Sequence, residues 1–141
     1  MKKCWNFAFA YCLAGLAGGV FYREFTKYNG FTGQTALSVV HTHLLTLGML
    51  VFLVLILMDK SFGITKHKRF SVFLGLYTSG MVVAVAGLIT RGVCQVLEIP
   101  LSKGIDAAIS GVSGIGHILL GTGLILLLAI IKKHLPKKER L

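Results

Sequence analysis

Three histidines lie where a histidine is costly. His41-Thr42-His43 falls inside one long apolar stretch of the chain and His117 inside another. An ionisable side chain at membrane depth faces a bundle interior or a cavity and marks a site by default. Imidazole is also a general ligand for transition metals and for haem iron. The chemistry open to His41, His43 and His117 is therefore metal coordination, either of a bare ion or of iron in a haem. No Asp or Glu lies in the interior of an apolar block, and Cys4, Cys12 and Cys94 form no CxxC pair. The cysteines read as small buried apolar residues.

Spacing narrows the choice. Residues two apart on a helix point roughly 200° apart, so His41 and His43 cannot close on one small ion. Haem iron asks for less: two imidazoles from different helices, one on each side of the ring. His41 shares a face with Gln34, Ser38, Leu45 and Gly48, the smaller and more polar stripe. His43 shares one with Val39, Val40, Thr46, Leu47 and Leu50. The His41 face is expected to be the interior one, which favours His41 as the partner of His117. His117 has Gly114 three residues before it and Gly121 four after it. A helical surface stripped of side chains on both sides of an imidazole suits a flat macrocycle; helix packing is the alternative use. Arg23 and Arg91 end two of the apolar blocks and could meet haem propionates, with interfacial anchoring as the alternative. Tyr11, Tyr22 and Tyr77 are candidate hydrogen-bonding neighbours, although packing is the commoner role of such residues. His67 and His134 sit among lysines and read as solvated, without a role.

The elements that must position these residues are membrane spans. The chain has 141 residues, 55% hydrophobic and 14% charged, a balance unlike that of a soluble domain of this length. Four continuous apolar blocks occur, at about residues 5–22, 35–58, 70–90 and 106–131. A hydrocarbon core of ~30 Å needs about 20 helical residues, which each block meets or nearly meets. None alternates with period two, so helices rather than barrel strands are expected. The first block has signal-peptide features, yet reads as a true span. The predicted fold is an all-α integral membrane protein, a four-transmembrane-helix bundle, as one domain over residues 1–135 with a basic cytoplasmic tail at 136–141.

The net charge of +10 does not point to nucleic acid, because no aromatic-basic interleaving accompanies it. Its placement reads as topology. Eleven of the fifteen Lys and Arg residues fall on one side of the four blocks, and Arg23, Lys27, Arg91 and Lys103 on the other. The positive-inside bias predicts a multi-pass protein of a bacterial-type cell membrane with both termini cytoplasmic. Small residues recur at helix-contact spacing in Ala10, Ala14 and Gly18, in Gly15 and Gly19, in Ala107 and Gly111, and in Ser110 and Gly114. Such stripes predict a tight bundle or a homo-oligomer.

The run from His41 to Gly48, HTHLLTLG, resembles the haem-binding helices of haem–copper oxygen reductases and nitric oxide reductases. In that superfamily an HxH pair ligates haems on opposite sides of one helix, and a single axial histidine is followed by glycine seven residues on, as Gly48 follows His41. His117 to Gly121 is loosely similar. As a whole the chain is similar to small uncharacterised four-helix bacterial membrane proteins, which implies architecture alone. With three intramembrane histidines the chain cannot build a haem and a copper site together, and it has no intramembrane carboxylate for a proton channel. The expectation is a membrane protein binding haem b through the second and fourth helices. It would transfer electrons with a quinone or another redox partner, or bind or reduce a diatomic gas as a haem-dependent oxidoreductase. The alternatives are a transition-metal or haem transporter, and an accessory or assembly protein.

Overall fold

A computed structural model describes residues 1–134; the basic tail at 136–141 lies outside them. The structure is all-helical, 87% helix, and its four long helices are each apolar enough to cross a membrane. These are α1 (Lys2–Tyr28), α2 (Ala36–Phe62), α3 (Phe70–Val96) and α4 (Lys103–His134). Each outlasts the apolar block that announced it, because the helical hydrogen-bond ladder continues beyond the hydrocarbon into flanking polar residues. Trp5, Phe9, Leu13, Leu16 and Val20 on α1 and Ile115, Ile118, Ile125 and Leu128 on α4 face outward. That apolar exterior belongs in lipid.

The arrangement is not a uniform four-fold bundle. α1 packs on α2, and α4 packs on α3. α3 is the spine to which the rest is fixed. Between α3 and α4 the backbones nearly touch. Tyr77 lies over Gly123, Gly80 meets Leu120, Ala84 meets Gly116 and Gly87 meets Ser113, an antiparallel register in which small residues face each other. A Cβ on Gly116 would come 2.5 Å from the Ala84 amide nitrogen, and one on Gly80 2.6 Å from that of Leu120. These glycines permit the approach that holds helices together in lipid, where dispersion replaces the hydrophobic effect. At the outer end of the seam Arg91 reaches across to α4, donating to Asp106 Oδ1 at 2.7 Å and to Ser110 Oγ at 2.7 Å.

α2 is tied to the same spine. Thr35 starts the helix, its Oγ1 accepting from the Leu37 amide at 3.3 Å and donating to the Gly92 carbonyl at 3.0 Å. The Ala36 amide donates to Gln95 Oε1 at 2.7 Å. Gly92 has no Cβ because the Leu37 amide nitrogen occupies that place. Deeper in, Phe7 and Tyr11 of α1, Phe52 of α2 and Phe73 and Tyr77 of α3 form one aromatic cluster, with successive centroids 5.1 to 6.3 Å apart.

Helix α2 is itself irregular. It opens as a 3₁₀ turn (Ala36–Val39), passes through one α turn (Val40–Thr42), widens into a π-helical segment (His43–Leu50) and ends as α-helix (Val51–Phe62). The Tyr77 hydroxyl donates to the Leu47 carbonyl inside the wide segment at 2.7 Å. A π segment is uncommon and often accompanies function. Here it begins at His43.

Candidate metal or haem site

The structure separates the two histidines of the HTH run. His41 turns toward α1, where its ring packs over the Cβ position of Gly19, at 3.7 Å, and its own Cβ lies 4.0 Å from that of Gly18. Its stripe continues in the same direction. Leu45 fills the space over Gly15, and Tyr11 fills the space over Gly48, with a Cβ on Gly48 falling 2.6 Å from the tyrosine ring. The grouping of His41, Leu45 and Gly48 on one face holds, but that face is the α1 contact. Gly48 therefore offers no bare surface to a cofactor. The small side chains of this stripe, which favoured His41 as the partner of His117, serve helix packing. Among the described residues, His41 Nδ1 is the buried side-chain polar atom left without a partner.

His43 turns toward α4. Its ring centroid lies 6.0 Å from that of His117, with the two rings at 90°. Each imidazole is fixed by its own helix. His43 Nδ1 lies 2.8 Å from the Val39 carbonyl, and His117 Nδ1 lies 2.8 Å from the Ser113 carbonyl. A ring nitrogen that close to a carbonyl must carry the proton, so in both residues Nε2 is the lone-pair nitrogen. A backbone carbonyl behind Nδ1 is the usual arrangement behind a ligating histidine. Ser113 also faces Gly87 in the α3–α4 seam, so the carbonyl that orients His117 belongs to the packed interface.

The other residues expected at the site divide. Gly114 and Gly121, flanking His117, have nothing within 4 Å of their Cβ positions. That surface is open, as a macrocycle would require. Gly111 is equally open, so the stripe from Ala107 to Gly111 is not the contact within the chain, and the stripe from Ser110 to Gly114 meets α3 through Ser110 and Arg91. The close contact is the Gly116 and Gly123 face. Arg91 is committed to Asp106 and Ser110. Arg23 is exposed, with Glu24 at 3.9 Å. Tyr11 and Tyr77 belong to the aromatic cluster; Tyr22 lines a polar cavity with Ser38, Gln34 and Gln95 at the helix ends nearest Arg91.

The groove between α2 and α4 was not legible in the sequence. The two helices run parallel on either side of α3. Leu50, Val51, Val54, Leu55 and Met58 face Leu124, Leu127, Leu128 and Ile131 around an apolar space of about 480 Å³. Leu124 stands seven residues after His117 on α4, so the groove opens two helical turns, ~10 Å, beyond the imidazole pair. Among the described residues no group of three or more His, Cys, Asp or Glu side chains could hold a metal ion. The pair therefore offers two ligands and no more.

No curated protein and no solved structure matches the chain. Neither comparison supports the likeness of the His41–Gly48 and His117–Gly121 runs to haem-binding helices, and Gly48 is covered by Tyr11. A family model matches residues 1–134, the whole of the described chain. The protein belongs to the family of proteins of unknown function DUF2871.

Proposed function

We propose that this protein is a b-type haem protein of the membrane, in which His43 of α2 and His117 of α4 would hold the haem. The observation behind this reading is the imidazole pair: two rings from different helices, each with Nε2 as the lone-pair nitrogen, 6.0 Å apart. With metal–nitrogen bonds of ~2 Å, a separation of this size would leave room for one ion held by a ring nitrogen from each helix. A bare ion held by two imidazoles lacks the further ligands it prefers, whereas a macrocycle brings four of its own. The open flanks at Gly114 and Gly121 and the apolar groove beyond them suit a large flat apolar group. A haem held by these two histidines would supply single-electron exchange. The chain supplies ring orientation through the Val39 and Ser113 carbonyls and a dry wall of aliphatic side chains. A quinone or a protein redox partner would be the source or sink of electrons. An ion path would need ligands to continue along the groove, where Leu, Val, Ile and Met side chains stand instead. The basic end of the bundle, with Lys2, Lys3, Lys66, Lys68, Arg69, Lys132 and Lys133, is proposed to face the cytoplasm of a bacterial-type cell.

Protein purified from haem-supplied cells should show a Soret band and a reduced α band. His43→Ala and His117→Ala should each abolish them, while His41→Ala should leave them in place. A folded preparation that stays colourless after haem is added would refute the reading, as would loss of the spectrum in His41→Ala but not in His43→Ala.

A further inference from the structure

A second pair of imidazoles meets at the basic end of the bundle. His67, in the turn between α2 and α3, and His134, at the end of α4, have ring centroids 5.5 Å apart, inclined at 71°. Both are half-buried. Their hydrogen bonds give them opposite tautomers. His134 Nδ1 lies 2.9 Å from the Ile130 carbonyl and so carries the proton. His67 Nδ1 accepts from the Arg69 amide at 3.2 Å, which puts its proton on Nε2. The pair thus presents one N–H and one lone pair.

The field around it is positive. Lys66, Lys68 and Arg69 flank His67 in the turn, Lys132 and Lys133 precede His134 on α4, and Lys60 stands near the end of α2. Asp59 is the one carboxylate at this end among the described residues, and it is engaged. It accepts from the Thr65 amide at 2.8 Å and faces the Met1 ammonium at 3.8 Å. Partial desolvation, and then the charges of His134, Lys133, Arg69 and Lys68, push the His67 pKa below the usual imidazole value. Two neutral imidazoles could suit a cation, but six cationic side chains around them do not. An anion fits both the charge and the available N–H.

We propose that His67 and His134 form a pH-dependent docking site for the phosphate of an acidic phospholipid headgroup. The place argues for a lipid as the source of the phosphate. The turn and the last residues of α4 lie where the spanning helices leave the apolar region, the level at which headgroup phosphates attract juxtamembrane Lys and Arg. At neutral pH the basic side chains attract the phosphate and His67 Nε2–H donates to it. On acidification a proton reaches His67 Nδ1 in place of the bond from the Arg69 amide. Without an anion this puts an imidazolium ring beside the His134 ring and among lysines. The neutral contact is therefore favoured; it is present above pH ~6.5 and lost as pH falls through the lowered His67 value. With a phosphate between the rings, the same proton strengthens binding.

The test is retention of phosphatidylglycerol by the full chain, read by native mass spectrometry from nanodiscs of mixed phosphatidylglycerol and phosphatidylcholine. Lowering the pH from about 7.5 to about 5.5 should raise retention by wild-type protein about tenfold. The double variant His67→Gln, His134→Gln keeps every lysine and should retain the lipid at neutral pH without the gain on acidification. A gain of the same size in the double variant would overturn the proposal, as would a flat wild-type response. Inorganic phosphate at millimolar concentration should not displace the lipid; equal competition would identify free phosphate as the occupant and overturn the assignment to a lipid.

Discussion

Replacing Gly116 by Ala adds one methyl group where the α3 backbone already stands. The new Cβ would lie 2.5 Å from the Ala84 nitrogen, 2.8 Å from its Cα and 3.0 Å from its Cβ. Ordinary contact begins near 3.4 Å, and two of the three obstacles are main-chain atoms that no rotamer change can move. The helices must part by roughly 1 Å, and overpacking of this kind costs about 1–3 kcal/mol. Ala also favours the helix over Gly by about 1 kcal/mol, which masks part of the loss. Gly111→Ala supplies the control. It lies five residues away on the same helix, with nothing within 4 Å, and receives the propensity gain alone. The difference between the two variants isolates the packing cost and should be about 1–3 kcal/mol. Reversible unfolding in mixed micelles, followed by far-ultraviolet circular dichroism, measures it. Equal stability of the two variants, within about 0.5 kcal/mol, would refute the claim that α4 is seated on α3 through Gly116.

Three further outcomes follow from the same geometry. Tyr77→Phe leaves the Leu47 carbonyl without its side-chain donor and should cost about 1 kcal/mol in the same unfolding assay. Thr35→Val removes the cap of α2 and its bond to Gly92, and should cost about 1–2 kcal/mol; hydrogen exchange should show fraying confined to the first turn of α2. Arg91→Gln breaks a partly exposed ion pair and should cost no more than about 1 kcal/mol, a loss that high salt should mimic in the wild-type protein.

The four helices were plain in the sequence because bilayer thickness imposes length and apolarity on each span separately, without reference to its neighbours. The three histidines stood out for the same reason: an imidazole in an apolar block is conspicuous wherever the block packs. The divergence of His41 from His43 was also legible, since it depends on helical rise and twist alone. Which face looks where was not. The His41 stripe was small and polar enough to read as a cofactor wall, yet Gly15, Gly19 and Gly48 are small because Leu45, His41 and Tyr11 lie over them. Glycines that admit a helix and glycines that admit a ligand are identical in sequence. Gly80, Gly87 and Gly92 on α3 gave no chemical signal, although they hold α2 and α4 at the separation that lets His43 meet His117. His67 and His134 stand 67 residues apart in a run of lysines, and only the return of α4 to the basic end brings their rings together. The sequence by itself thus determined the elements and the costly residues, through constraints local to each helix. The tertiary structure decided the pairings, because helix register and the few contacts that admit no Cβ belong to two helices at once.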